Sequence, residues 1–483
     1  MTSEFIPKKQ RALVFQGGGS LGAYEAGVFQ AVYEKLTEKD KPLFDIVAGT
    51  SIGAINAAIL VSYVVENKTW KGSAERLNEF WDYVCAESYA DATPGFSSWW
   101  DYWSKIDDTL ASGEAARRYY SSKEFELYGV SKVFSPLPPL MDSKFLDPQN
   151  TWFRYDSKPL KRSLEKFARF PIATSFDENQ RQPRLLLVSV DVQEGMTVVF
   201  DSYVKEDGQR KSEYGEYGSE SGMMTNGKKN QYEHVIRYNE GITSDHVIAS
   251  ASVPINFSYT TILVENNQRK NSHRSKITIQ QNNSNNNSNN SNETRYFWDG
   301  GLLSNTPLRE VLEEHRNYWF KVKKYGTVGS MKQVPDLEVY VVDIHPTKQT
   351  NVPWDHDGVL NRNNDITFHD RTVYDKKVAV LVGDYINLTN ELIKAAKDNG
   401  IPNNIIDELL KRGAKSKHRT GKNRTYQDLL EGRFNIDKIV RLERTNDYNT
   451  ISNKTFDFSV GTVNHLREQG YTETINDQNV QRD

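Results

Sequence analysis

The chain has 483 residues, more than one ordinary domain, with 37% hydrophobic and 11% aromatic residues, enough apolar material for a packed interior. Its 61 basic and 64 acidic residues leave a net charge of -3 with no dominant block, which argues against nucleic acid as the main partner. The single cysteine, Cys85, excludes an intrachain disulfide and fits a reducing compartment.

The opening MTSEFIPKKQ carries charges, and no apolar run of signal-peptide length follows it. Ile55 to Val65, the longest apolar stretch, falls short of the roughly 20 residues that span a bilayer. The expected location is cytoplasmic, with any membrane contact peripheral.

Arg11 to Phe15 predicts a short buried strand and Gly17 to Gly22 a turn; Ala23 to Leu36 then predicts a helix, with Val28, Val32 and Leu36 at helical spacing. Phe44 to Ala48 repeats the logic, followed by Gly49-Thr50-Ser51-Ile52-Gly53 and the Ala-rich run Ala54 to Val65. Two strand-turn-helix units in succession predict a parallel sheet. Residues 70–155 are rich in aromatics, with Trp99, Trp100 and Trp103 close together, and Pro136, Pro138 and Pro139 interrupt regular structure. They read as an insertion or cap, its aromatics packing a core in preference to dipping into lipid.

Leu185 to Val190 predicts another strand, with Thr197 to Phe200 running back beside it, and residues 205–234 an exposed loop. Asn282 to Asn292 is almost wholly Asn and Ser and reads as disordered, carrying no chemistry. Tyr296 to Trp298 forms a short aromatic strand that ends in Asp299-Gly300-Gly301. Leu337 to Ile344 supplies one more strand, and residues 375–398 a helix with Leu381, Leu388 and Leu392 on one face. The division expected is a main domain over 10–345 and a mostly helical extension over 346–483.

Three short segments carry the chemistry. Gly49 to Gly53 matches G-x-S-x-G, in which Ser51 sits on a sharp strand-to-helix turn, Gly49 and Gly53 avoid clashes, and the helix N-terminus favours developing negative charge. The competing reading is a tight turn with an N-cap serine. In Gly17-Gly18-Gly19-Ser20-Leu21-Gly22, unhindered amides can converge on an anion, either a phosphate or an oxyanion. The same loop fits a dinucleotide fingerprint, with Asp45 at the distance of a ribose-binding acid, and a plain turn is the simplest alternative. Asp299 ends a strand and can be presented at the sheet edge that holds Ser51, where a dry carboxylate can serve as base to a hydroxyl. Taken alone, an Asp-Gly pair is more often a turn.

The glycine loop, the elbow and Asp299-Gly300-Gly301, in this order, resemble the three signature motifs of the patatin-like phospholipase family. Ala249 to Pro254 is similar to a segment that the family carries between elbow and aspartate, so the resemblance covers roughly residues 10–345. It implies a Ser51–Asp299 dyad without histidine, an oxyanion hole over Gly17, Gly18, Gly19 and Ser20, and release of a fatty acid from an acyl-enzyme. Leu21 departs from the family pattern, which often has Arg or Lys there.

Other candidates are weaker. His345 follows Asp343 after a strand and is the histidine best placed for a Ser-Asp-His triad. His356 and His369 lie among Asp355, Asp357 and Asp370 in a polar stretch that reads as solvated surface, so no metal is expected. Cys85 reads as a buried small side chain.

The sequence therefore predicts an α/β fold, a three-layer α/β/α sandwich with a mainly parallel central sheet, acting as a serine acyl hydrolase without cofactor. Its partners are a lipid or acyl-ester substrate and, peripherally, a membrane, with no nucleic acid. The alternatives are an NAD(P)-dependent oxidoreductase built on Gly17 to Gly22, and an interaction protein that keeps the fold without turnover.

Overall fold

A computed structural model describes residues 7–36, 42–105, 112–137, 153–176, 182–216, 232–266, 292–327, 333–417, 423–445 and 449–480. Apolar runs bounded by glycines become its inner strands. Strand β1 (Lys9–Phe15) leads through the glycine turn into helix α1 (Gly22–Leu36), and β2 (Ile46–Thr50) leads through Ser51 into α2 (Ile52–Asn67). Helices α3 (Ser73–Val84), α4 (Phe96–Ser104), α5 (Gly113–Tyr128) and α6 (Lys158–Phe167) follow. Then come β3 (Arg184–Asp191), β4 (Met196–Asp201), β5 (Lys211–Glu216), β6 (Tyr232–Arg237), α7 (Ser244–Ser250), β7 (Thr260–Asn266) and β8 (Asn292–Asp299). The remaining major elements are α8 (Leu308–Asn317), β9 (Asp336–Asp343), α9 (His356–Phe368), α10 (Val373–Asp398), α11 (Asn403–Leu410), β10 (Ile436–Glu443) and α12 (Val460–Asn476).

Strands β10, β9, β1, β2 and β3 lie side by side and all parallel. Beyond β3 the sheet continues antiparallel through β8, β7, β6 and β5, and β4 also pairs with β3. Side chains alternate across this sheet as the pleat requires. Leu13 and Phe15 of β1 join Val47, Leu187 and Val342 beneath α1, α2 and α3, whereas Ala12 and Val14 join Ile46, Leu186 and Val341 beneath Leu308 and Val311 of α8. The result is the expected α/β/α layering, with the inner parallel strands β9, β1, β2 and β3 buried on both faces and β10 partly exposed at the edge.

One edge of β3 is shared by two strands. Residues 186–188 pair with β4 on one side and β2 on the other, and residues 189–191 pair with β4 and β8. A strand has only two edges, so β2 and β8 occupy the same one, approaching from opposite ends. Thr50 stops opposite Val188 and Asp299 stops opposite Ser189.

The region expected as a helical extension over 346–483 is woven into this body. Strand β10 extends the parallel sheet beside β9. Helix α12 lies on α1 with backbones in contact: a Cβ added at Gly27 would stand 1.9 Å from Arg467 O, and one at Gly470 2.2 Å from Tyr24 O. Only residues without side chains allow that approach.

Other expectations need correction. Residues 205–234, read as a loop, contain β5 and the first residues of β6, because Ser212 and Tyr214 alternate inward among charged neighbours and Tyr214 Oη donates to Asp191 at 2.7 Å. The Asn-rich tract over 282–292 lies outside the described residues except for Asn292, the first residue of β8. Trp70, Phe80 and Trp81 are core residues, but Trp99 and Trp103 of α4 are 59% and 46% exposed, since a nine-residue helix cannot bury so many rings on one side. Leu381, Leu388 and Leu392 do share a face of α10, and that face meets solvent. Cys85 is half-buried, its thiol donating to Asp82 O at 3.3 Å. No helix among the described residues is long and apolar enough to cross a membrane.

Candidate active site

The turn at Ser51 is tight because its glycines let backbone meet backbone. A Cβ at Gly49 would lie 2.2 Å from Gly53 O, and one at Gly53 2.5 Å from Gln16 O. Ser51 itself adopts φ 57 and ψ -125, a conformation that residues with a Cβ rarely hold and that presents the side chain at the head of α2. Its N–H donates to Ser250 O at 3.1 Å and to Ser250 Oγ at 3.0 Å.

Asp299 lies across from it at the end of β8, 4% exposed. Its Oδ1 accepts the Gly301 N–H at 2.7 Å, while Oδ2 is buried with no partner in good hydrogen-bonding geometry. Burial pushes the Asp299 pKa up to about 6, against the opposing pull of the nearby Ser51 hydroxyl and the Gly301 N–H. The two side chains thus act on one another without a well-aligned hydrogen bond, as is common before a substrate closes the site.

Ala249 to Pro254, singled out in the sequence, explains how the two are held. Asp299 N–H donates to Ser252 O at 2.9 Å, and Ser51 N–H is bonded to Ser250. Ser189 Oγ, on the strand between, reaches Ala249 O at 3.1 Å and Trp298 O at 2.7 Å. One short segment therefore fixes the backbone of both residues.

The glycine loop closes the third side. A Cβ at Gly17 would lie 2.8 Å from Ser51 Cβ, so the loop rests directly on the elbow. Asn305 grips Gly17 at both polar atoms, its Oδ1 accepting the N–H at 3.2 Å and its Nδ2 donating to the carbonyl at 3.2 Å. Gly18 and Gly19 line the adjoining cavity, and among the described residues no protein acceptor takes their N–H groups. Ser20 is fully buried, outside the cavity wall, and its hydroxyl donates to Lys454 O at 2.6 Å. Leu21 is likewise buried away from the cavity. Of the four residues expected around an oxyanion, Gly18 and Gly19 are the two that combine a place in the cavity wall with an amide that no protein acceptor takes.

A cavity of about 300 Å³ opens from Ser51 and Asp299. Ile52, Ile55, Val133, Phe134, Leu160 and Phe257 give it an apolar wall, which Phe456 and Phe458 complete from the C-terminal region. Such a lining suits a hydrocarbon chain and gives a charged substrate group few partners. The insertion and the C-terminal region both reach the site, which the expected domain division does not anticipate.

His345 also lines the cavity but does not serve as a partner to Ser51: its Nε2 lies 3.0 Å from Gly17 O and its Nδ1 3.4 Å from Asp365 Oδ1. The dinucleotide reading loses its acid and its open loop. Asp45 Oδ2 accepts the Arg11 N–H at 2.8 Å, and Thr455 O stands 2.4 Å from where a Gly19 Cβ would be. His356 and His369 stand at opposite ends of α9, and no group of three His, Cys, Asp or Glu suited to a metal occurs among the described residues.

Asn305, Phe134 and Phe456 escaped the sequence reading. Asn305 precedes Thr306-Pro307 and looks like a turn; only its fixed place just after Asp299-Gly300-Gly301 hinted at more.

Comparison with known proteins bears on this geometry. The Patatin family model, described as patatin-like phospholipase, matches residues 13–312, which include the glycine loop, Ser51, Asp299 and Asn305. No curated protein matches the chain. Among solved structures, VipD from Legionella pneumophila aligns over 97% of this chain and 66% of that one, at 14% identity and a TM-score of 0.30. This chain spans just under two thirds of that protein's length, and the likeness is too loose to add to the fold described above.

Proposed function

The chain belongs to the patatin-like phospholipase family, lipid hydrolases at family level, and from that premise we propose that it cleaves fatty-acyl esters with Ser51 as nucleophile and Asp299 as its base. The observation that carries the reading is the juxtaposition of a strained, cavity-lining serine with a buried carboxylate whose pKa is raised to about 6. A carboxylate of that basicity is ionised at neutral pH and still accepts a proton more readily than an ordinary one.

In this reading the ester carbonyl carbon lies over Ser51 with its acyl chain in the apolar cavity. Ser51 Oγ attacks that carbon while its proton passes to Asp299. The carbonyl oxygen becomes an oxyanion facing the amides of Gly18 and Gly19, where fixed donors cost no reorganisation. The tetrahedral intermediate collapses, breaking the bond to the leaving alcohol, which takes the proton from Asp299. Water then attacks the acyl-enzyme, again losing its proton to Asp299, and the fatty acid departs as Ser51 recovers its hydrogen. Each half uses the same carboxylate, first as base and then as acid.

Purified protein incubated with a panel of phospholipids and simple acyl esters tests this. Fatty acid released by the wild type and lost in Ser51→Ala is the expected result; equal release by both would overturn it, and no release by either would favour a fold kept without turnover.

A further inference from the structure

Two histidine nitrogens and a carbonyl beside the site serve no step of the chemistry above. His345 is 2% exposed, and its Nε2 lies 3.0 Å from the carbonyl oxygen of Gly17. A carbonyl only accepts, so Nε2 carries the proton of that hydrogen bond. The same oxygen accepts Asn305 Nδ2, which fills its two lone pairs.

The peptide joining Gly17 to Gly18 is trans, the cis bond in the described chain being Phe170–Pro171. In a trans peptide the carbonyl and the following N–H point in opposite directions within one plane. Fixing the Gly17 carbonyl on His345 and Asn305 therefore fixes where the Gly18 N–H is aimed. Glycines on both sides of that plane put little steric resistance in the way of a flip, which would exchange an N–H for a carbonyl oxygen at the same place.

His345 is itself anchored. Its Nδ1 faces Asp365 Oδ1 at 3.4 Å, and that oxygen also accepts Lys454 Nζ at 2.5 Å. The backbone carbonyl of Lys454 takes the Ser20 hydroxyl at 2.6 Å. Gly17 and Ser20, two residues of the glycine loop, are thereby tied to the single buried carboxylate of Asp365, 0% exposed. His345, Asp365 and Lys454 all lie beyond residue 312, outside the segment matched to the family.

We propose that His345 is a positioning residue, which holds the Gly17–Gly18 peptide so that the Gly18 amide is presented to the oxyanion of the reaction. The proposal rests on the Ser51 and Asp299 reading, since an oxyanion forms only if that chemistry runs. A merely structural histidine would affect folding alone; a positioning one affects the transition state and leaves ground-state binding unchanged.

The experiment compares full-length wild type, His345→Ala and His345→Gln on a soluble acyl ester, together with inhibition by a trifluoromethyl ketone, whose adduct carries an oxyanion. Loss of one oxyanion donor lowers kcat by about 100- to 1000-fold, and a misaimed donor is expected to lower it about ten- to 100-fold. His345→Ala should show that fall in kcat at unchanged KM, with the inhibition constant rising by a similar factor. His345→Gln, whose side-chain amide can donate to the same carbonyl, should recover most of both. Wild-type kcat and inhibition in His345→Ala would overturn the proposal, as would a fall in kcat that glutamine does not restore and the inhibitor does not report. If His345→Ala does not fold, His345→Gln against His345→Leu gives the same comparison. An inactive wild type would instead count against the Ser51 and Asp299 reading.

Discussion

Ser51 and Asp299 meet because the strands that carry them end head to head on one edge of β3, Thr50 opposite Val188 and Asp299 opposite Ser189. In a sheet where all strands ran parallel, each C-terminal end would have its own lane. Here one lane is filled from both ends, so two strand termini face each other across a short gap. The amides of the glycine loop flank that gap, since β1, which precedes the loop, pairs with β2 in parallel register.

The strain at Ser51 has a measurable consequence. Non-glycine residues in sparsely populated backbone regions cost about 1–3 kcal/mol, and at φ 57, ψ -125 Ser51 is one of them. Ser51→Gly is expected to be more stable than wild type by about 1 kcal/mol after the added freedom of the unfolded chain is subtracted, whereas Ser51→Ala keeps the Cβ and should stay close to wild type. Urea unfolding of the three proteins checks the order; a glycine variant no more stable than the alanine variant would contradict it.

Asp299 is held in its charged form at a cost to the fold. Its folded pKa lies above the ordinary value, 3.8 rising to about 6, so the folded state binds the proton more tightly than the unfolded chain. The resulting destabilisation is absent below the unfolded pKa, grows as pH rises from 3.8 to about 6, and is complete above that. Its upper bound is about 3 kcal/mol. Asp299→Asn should therefore lose esterase activity yet melt higher than wild type at pH 7.5, with the difference shrinking as pH falls to 4. A difference in Tm that does not depend on pH would contradict this.

The C-terminal region is expected to be indispensable. Gly470 lets α12 rest on α1 at Tyr24 O, and the segment just before α12 supplies Phe456 and Phe458 to the cavity. Gly470→Leu has no room without parting the two helices, and should destabilise by about 1–3 kcal/mol. Thermal melting reads this directly; an unchanged melting temperature would mean that the two helices are not packed as described.

What the sequence disclosed and what it withheld follow from the range of the forces involved. The two strand-turn-helix units, the elbow at Ser51 and the strand ending in Asp299 were legible because each depends on a local pattern: an apolar run, a glycine-rich turn, a small-residue helix. The gripping of Gly17 by Asn305 and His345 was not, since it joins residues far apart in the chain through hydrogen bonds with no periodic trace. Strands β5 and β6 were hidden by charge, their inward-facing Ser212, Tyr214 and His234 being polar or aromatic in a stretch otherwise typical of a loop. The place of β10 in the sheet was equally obscure: its Lys, Arg, Asp and Glu residues mask the alternation that Val440 and Leu442 follow into the core.

The most direct test of the central claim is the rate at which a fluorophosphonate modifies the protein as pH is varied, with the modified residue identified by mass spectrometry. If Asp299 activates Ser51, the adduct is on Ser51, the rate climbs with pH to a plateau with its midpoint at about 6, and Asp299→Asn reacts at least about 100-fold more slowly. An adduct on another serine, or an Asp299→Asn protein labelled at the wild-type rate, would contradict the account.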